Sequence, residues 1–150
     1  MNIKIDDLNW SILQCLQENA RDSFANIGRK VGLTPPAVAE RIKKMEDLGI
    51  LSGYKAVVSH AQTGYLLKAI ITLRAFMGKL KPFLEIVVSF DEVVNCYRIT
   101  GNENIVMEVV LRDQSHLEQF IDKLIVYGEA RTHIVLSHVI SNAPIGKGNG

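Results

Sequence analysis

Apolar positions recur at helical spacing three times before Leu51, and then the period changes. Leu8, Ile12, Cys15 and Leu16 share one face of a first helix, whose N-terminus Asp6 and Asp7 can cap and favour electrostatically. Ser23 is a good N-cap for a second helix that buries Phe24, Ile27 and Val31, and Gly32 is placed to end it in a left-handed turn. The third helix lies in "GLTPPAVAERIKKMEDLGIL". Its two prolines start the helix and do not break it. Thr34 takes the N-cap, Pro35 the first helical position, and Pro36 the same first turn, where backbone donors have no intrahelical partner. Thr34 is then left to cap the donor of Ala37 or a later residue. Gly49 ends the helix. Val38, Ile42 and Met45 form a narrow stripe with Leu48 nearby, while Pro36, Ala37, Glu40, Lys43 and Lys44 point away and Arg41 lies at the edge.

Beyond Gly49 the pattern is extended and then alternates. "ILSGYKAVVS" reads as a strand and "HAQTGY" as a turn or linker. A strand is expected over 66–76, and then a helix over 79–89 that buries Leu80, Phe83, Leu84 and Val87, with Pro82 near its first turn. Strands follow over 93–100 and 105–111, joined at Gly101-Asn102, a turn signal; Ile105, Met107, Val109 and Leu111 share one face of the second. Ser115 opens a helix through a capping box to Glu118. That helix buries Leu117, Phe120, Ile121, Leu124 and Ile125 and ends near Gly128, and 132–140 is the last strand. The order is β-α-β-β-α-β, the ferredoxin-like arrangement.

The expected fold is therefore α+β. A three-helix (winged) helix-turn-helix domain occupies 1–52, a strand linker 53–65, a ferredoxin-like domain 66–140, and a flexible tail 141–150. The strands carry apolar residues on both sides: Leu67, Ala69, Ile71 and Leu73 against Ile70 and Phe76, and Ile134, Leu136 and Ile140 against Val135 and Val139. A sheet with one wet face alternates more cleanly, so the face left open by the helices is expected to pack against another subunit, the alternative being cover by the N-terminal domain.

Net charge of +1 over 150 residues decides nothing, but its distribution does. From Arg21 to Lys44 there are six basic residues (Arg21, Arg29, Lys30, Arg41, Lys43, Lys44) against Asp22 and Glu40, a net of +4. Only Gly-Leu-Thr joins the second and third helices, the helix-turn-helix connection length. Two readings stay open at this point: a DNA-reading helix, or a solvated face in which Glu40 and Lys44 form an i,i+4 pair. Cys15 and Cys96 sit far apart among apolar neighbours and read as buried thiols in a reducing compartment. "MNIKIDD" turns acidic where a signal peptide turns apolar, and no apolar run approaches the roughly 20 residues that cross a bilayer. A soluble cytoplasmic protein is expected, with no membrane partner, cofactor or metal.

Two rivals fail on residues. An RNA-recognition motif shares the strand order but stacks bases on aromatics of its third strand, and "NIVMEVVL" has none. An enzyme needs convergent acid, base or metal groups. His60, His116, His133 and His138 have no chelating spacing and read as surface or turn histidines.

The stretches "DDLNWSILQCLQENAR", "IGRKVGLTPPAVAERIKKMEDLGIL", "GYKAVVS", "CYRITGNENIVMEVVL" and "RTHIVLS" resemble the Lrp/AsnC (feast/famine) regulators over nearly the whole chain, with Val38, Arg41 and Glu46 in register. The resemblance implies a transcriptional regulator whose third helix enters the major groove of double-stranded DNA. It also implies a ferredoxin-like domain that forms homodimers and an octamer or other higher assembly. Thr34, Ala37, Glu40 and Arg41 are candidates for base edges, beside Pro36 on the same face, and Ser23, Arg29, Lys43 and Lys44 are candidates for phosphates. In that family small molecules, usually amino acids, bind between subunits beside the turn that is "TGNEN" here, which makes Gly101, Asn102, Glu103, Asn104 and Thr132 candidates for an effector. Amino-acid-binding members often carry a tyrosine and an aspartate after the glycine; Glu103 and Asn104 stand there instead. A plain β-turn without ligand, and an effector-independent architectural protein that bends or compacts DNA, are the alternatives.

Overall fold

The computed structural model describes residues 4–148, so Met1–Ile3 and the last two residues of the tail lie outside the described residues. The chain forms two compact units. One runs to Val57 and takes in the tail from Ile140; the other is Val58–Val139.

The first unit holds α1 (Asp7–Glu18), α2 (Phe24–Val31) and α3 (Pro35–Asp47). Asp6 Oδ1 accepts from the Asn9 amide at 2.7 Å, and Ser23 Oγ from the Asn26 amide at 3.0 Å, so both helices start on side-chain caps. α3 starts differently. Thr34 has N-cap backbone geometry, but its side chain caps nothing, contrary to expectation. The prolines remove the first donors a cap would serve, and their fixed φ sets the first turn. Gly49, at φ 71°, ends α3 in a Schellman arrangement: its amide donates to Glu46 O, and the Ile50 amide to Met45 O, each at 2.9 Å. Ile12, Leu13, Cys15 and Leu16 of α1 pack with Ile27, Val38, Ile42 and Met45. Phe24 and Leu48, expected to face the core, are 46% and 47% exposed.

Between Leu51 and Ser59 the chain pairs with no strand among the described residues, so the expected linker strand is extended chain only. A strand is defined by its partner, and sequence pattern supplies none.

The second unit runs β1 (Leu67–Ala75), α4 (Leu80–Ile86) with a 3-10 turn at Val87–Ser89, β2 (Val93–Arg98), β3 (Ile105–Leu111), α5 (Gln114–Leu124) and β4 (Gly128–Ile134). The sheet order is β2-β3-β1-β4, all antiparallel, which is the ferredoxin-like topology. Ala69, Ile71, Leu73, Ile105, Met107, Val109 and Leu111 meet Phe83, Val87, Phe120 and Leu124 in one core.

The structure corrects four expectations in this unit. α5 is capped by Asp113, whose Oδ1 accepts from the His116 amide at 2.8 Å, and not by Ser115; Ile125 just past its end is 54% exposed. Gly128 does not close that helix but begins β4, which ends at Ile134 instead of residue 140. A Cβ on Gly128 would lie 2.3 Å from Arg74 O, so only glycine lets the two backbones approach there. β4 stops where its partner does, since the last contact, Val135 N–H to Lys68 O, reaches the start of β1.

Nor is the open face simply apolar. Cross-strand register sets Asn95, Glu108, Ile70 and His133 in one row and Tyr97, Val106, Thr72 and Arg131 in the next. Charged and apolar side chains are mixed there. Leu136, Val139 and Ile140, expected on the last strand, lie beyond it and are 95%, 91% and 76% exposed.

Candidate functional site

The outward face of α3 is built by its burial. Val38, Ile42 and Met45 anchor one side, so Thr34, Pro36, Glu40, Lys43 and Lys44 are exposed on the other, with Ala37 half-buried at the margin. Gly28 of α2 holds the turn tight, for a Cβ there would lie 2.3 Å from Leu33 O. At about 1.5 Å per residue, the 13 residues of α3 span about 20 Å, a length and width that fit a major groove.

Ion pairing divides the basic residues. Lys30 binds the shielded Asp22 carboxylate at 2.9 Å, which holds Asp22 below its ordinary value with help from Asn26 and raises Lys30. Arg41 is half-buried and donates to Asp6 Oδ2 at 2.8 Å and to Asn9 Oδ1 at 3.0 Å. The Asp6 carboxyl is lowered by that guanidinium and by the Asn9 amide. The expected Glu40–Lys44 pair does not form among the described residues; Lys43 instead meets Asp47 at 3.7 Å, with both side chains exposed. Such a pair is screened and weak. Arg29 reaches only Asn26 Oδ1, at 3.5 Å. Lys43, Lys44 and Arg29 thus remain exposed, and Ser23 has its oxygen in the α2 cap. Asp6 is legible as a cap, but nothing in the sequence pattern signals that it also receives Arg41.

The Gly101–Asn104 turn is spent on its own chain. Asn104 Oδ1 accepts from the Ala75 amide at 2.9 Å, the Asn104 amide donates to Leu73 O at 3.1 Å, and Asn104 O accepts from the Ile99 amide at 3.1 Å. Glu103 meets Arg131 at 3.3 Å, and Arg74 meets Glu129 at 2.7 Å. Gly101 is at φ 118°, open to glycine and strained for other residues. Asn102, Glu103, Arg74, Glu129 and Arg131 line a hollow of about 50 Å³. Thr132 does not join them. It pairs with Ile71, on the helix-covered face, and Arg131 occupies the position expected of Thr132. Arg74, Glu129 and Arg131 come from strands distant in sequence and carry no motif.

Elsewhere in the sheet unit, His116 is not the surface histidine that its sequence neighbours suggest. It is 7% exposed. The Arg112 amide donates to its Nδ1 at 3.1 Å, so Nε2 carries the proton and faces Glu92 Oε1 at 3.2 Å. Lys123 donates to the same oxygen at 2.8 Å. Burial would raise Glu92, but the Lys123 and His116 hydrogen bonds outweigh it and leave it lowered. The trio ties the approach to β2 onto α5.

The same architecture recurs in known proteins. A sequence model of the AsnC-type helix-turn-helix domain matches residues 5–46, and one of the Lrp/AsnC ligand binding domain matches residues 68–145. The HTH-type transcriptional regulator YezC of Bacillus subtilis is 34% identical over 133 residues, 89% of this chain and 94% of that protein. LrpC of B. subtilis superposes with a TM-score of 0.88 at 26% identity, covering 93% of this chain and 99% of that one. A transcriptional regulator of Neisseria meningitidis, solved as its L-Met complex, superposes at 0.89 with 25% identity over 95% of this chain and 96% of that one. A reading head of three helices followed by a ligand-binding ferredoxin-like domain is the family's plan, and this chain belongs to the Lrp/AsnC family of transcriptional regulators.

Proposed function

We propose that this regulator reads specific DNA as a homodimer or a higher assembly such as an octamer, and that an amino acid or related small molecule controls it. The observation that carries the DNA reading is the exposed face of α3, where Lys43 and Lys44 flank Glu40 and, among the described residues, no strong ion pair holds either lysine. Thr34, Ala37, Glu40 and Arg41 are assigned to base edges, with Pro36 shaping the entry. Ser23, Arg29, Lys43 and Lys44 are assigned to phosphates. Glu40 suits a cytosine amino group. Arg41 reaches a base only by sharing or leaving Asp6 and Asn9, so its contribution is tied to α1.

One head offers few phosphate contacts, and affinity follows their number. Two heads double it and read half-sites about one helical turn, roughly 34 Å, apart. Exposed Val57, Leu136, Val139 and Ile140 support self-association, being 76% exposed or more in the single chain.

The effector is assigned to the Gly101–Asn104 turn. Its hollow, about 50 Å³, is far below the roughly 300–1,000 Å³ of small-molecule sites, so a second subunit must complete it. Glu103 offers an ammonium group a carboxylate, and Arg131 offers a carboxylate a cation. The L-Met complex of the Neisseria relative supports an amino acid. The same turn favours a second reading: its polar groups are already paired within the chain, as an architectural protein without effector requires.

The test is binding to the DNA upstream of the protein's own gene and to a random fragment of equal length, over a salt series, with and without the twenty amino acids. Preference for the upstream DNA that shifts with amino acids is expected. Salt-sensitive binding without preference or response would establish the architectural reading, and no binding at low salt would reject both.

A further inference from the structure

The tail has the composition of a flexible segment, yet it is docked. The Ile145 amide donates to Gln17 Oε1 at 2.8 Å, and Gln17 Nε2 donates to Ile145 O at 2.9 Å, so one side chain on α1 satisfies both backbone groups of one tail residue. Two residues on, Lys147 Nζ meets Asp7 Oδ1 at 2.6 Å. Between these points Gly146 and Lys147 lie at a groove formed by Trp10, Ser11, Gln14 and Cys15 of α1 and by Lys30 and Val31 of α2. A Cβ added at Gly146 would meet nothing within 4 Å, so the fit there is open and depends on the polar contacts.

The covalent path gives this docking a consequence. The chain passes from the head unit to the sheet unit at Val57–Val58 and returns at Val139–Ile140. Without the docked tail, only the first passage would tether the head. We propose that residues 143–148 are a strap that gives the DNA-reading head a second tether to the sheet unit, and so limits its independent motion. A reciprocal amide pair and one exposed ion pair make a weak grip, and the Ile145 side chain stays 72% exposed. A grip of that strength holds the head and can still release. β4 carries Glu129 and Arg131 of the effector hollow, and the chain reaches the strap from it through residues 135–142, which form no helix or strand. The consequence for DNA rests on the head being the DNA-reading element. A head held at two points tolerates fewer half-site spacings than one on a single linker.

The experiment uses the full chain, a chain ending at Asn142, and Gln17→Ala, an exposed position whose loss should leave the fold intact. Amide exchange and backbone relaxation are read without DNA, and binding is then read on operators with half-sites moved by two base pairs either way. In the full chain the Ile145 amide should exchange slowly and the two units should tumble together. Gln17→Ala should speed Ile145 exchange about tenfold, and truncation should let the head tumble faster and flatten the spacing preference. Ile145 exchange at the rate of a free peptide in the intact protein would overturn the docking. Unchanged head tumbling on truncation would overturn the tether. If the full chain shows no DNA preference, the DNA reading fails, while the exchange and relaxation results still decide the strap.

Discussion

The outward face of α3 and the Gly101–Asn104 turn are both candidate binding surfaces, and they treat their polar groups in opposite ways. On α3, burial of Val38, Ile42 and Met45 leaves Lys43 and Lys44 exposed with only a 3.7 Å surface pair between Lys43 and Asp47. In the turn, Asn104 makes three hydrogen bonds to its own chain and Glu103 is paired with Arg131. A helix satisfies its own backbone, so its side chains are left for a partner. A hairpin end does not, so its side chains are recruited to finish the fold. The first surface is ready for a ligand as it stands; the second must exchange internal contacts for external ones.

Substitutions on each side press on that contrast. The largest effect belongs to the corner beside the turn. Gly128→Ala would set a methyl 2.3 Å from Arg74 O, and chemical denaturation should show a loss of about 3 kcal/mol, at the upper end for overpacking. A loss below half of that would mean that the β1–β4 corner gives way more easily than its backbone approach implies. Asn104→Ala removes the acceptor of the half-buried Ala75 amide and should cost about 1–3 kcal/mol. If it left stability unchanged but abolished an amino-acid response, Asn104 would serve the ligand and not the fold, and the contrast would collapse.

On α3 the expected changes are in binding and not in stability. Lys44→Ala should weaken specific and random DNA alike and lower the salt slope by about 1, whereas Arg41→Ala should reduce the discrimination between them. Equal losses for both variants on both DNAs would remove the division between phosphate and base contacts. Asp6→Asn sharpens this, since it keeps a residue able to cap α1 and removes the charge that holds Arg41, leaving the Asn9 contact; a change in discrimination there would show that the α1 tie positions the guanidinium.

The smallest effect is a pH dependence in the head. Asp22 is held below its ordinary 3.8 by Lys30 and Asn26, so its contribution is present above that value and is lost as pH falls through the lowered one. Asp22→Asn should lower stability at neutral pH, leave the most acid end little changed, and so flatten the acid limb of a stability–pH curve. A steeper acid limb in the variant would contradict the ion pair.

Much of the molecule is legible in its sequence because it is local. Ser23 and Gly32 bracket α2, the proline pair opens α3, and the apolar stripe of that helix is its core face. Each depends on residues within one or two turns of one another, where backbone geometry and helical period decide the outcome. The order of strands and helices follows in the same way, and with it the ferredoxin-like topology. Local rules also mislead where two of them compete. Gly128 suits a helix end, and Ser115 with Glu118 suits a capping box, yet Asp113 caps the helix and Gly128 starts a strand.

The remaining features come from folding, which brings together residues that the chain separates. Arg41 meets Asp6, Glu103 meets Arg131, His116 and Lys123 meet Glu92, and Ile145 meets Gln17. Spacing along the chain cannot announce such pairs, since loop closure costs little more for a long separation than for a moderate one and any of several charged partners would serve. Local pattern therefore set the three helices of the head, the order of elements in the sheet unit and which face of α3 is turned outward. Packing set which charged groups are already engaged, that Thr132 faces away from the turn, and that the tail returns to the first helix.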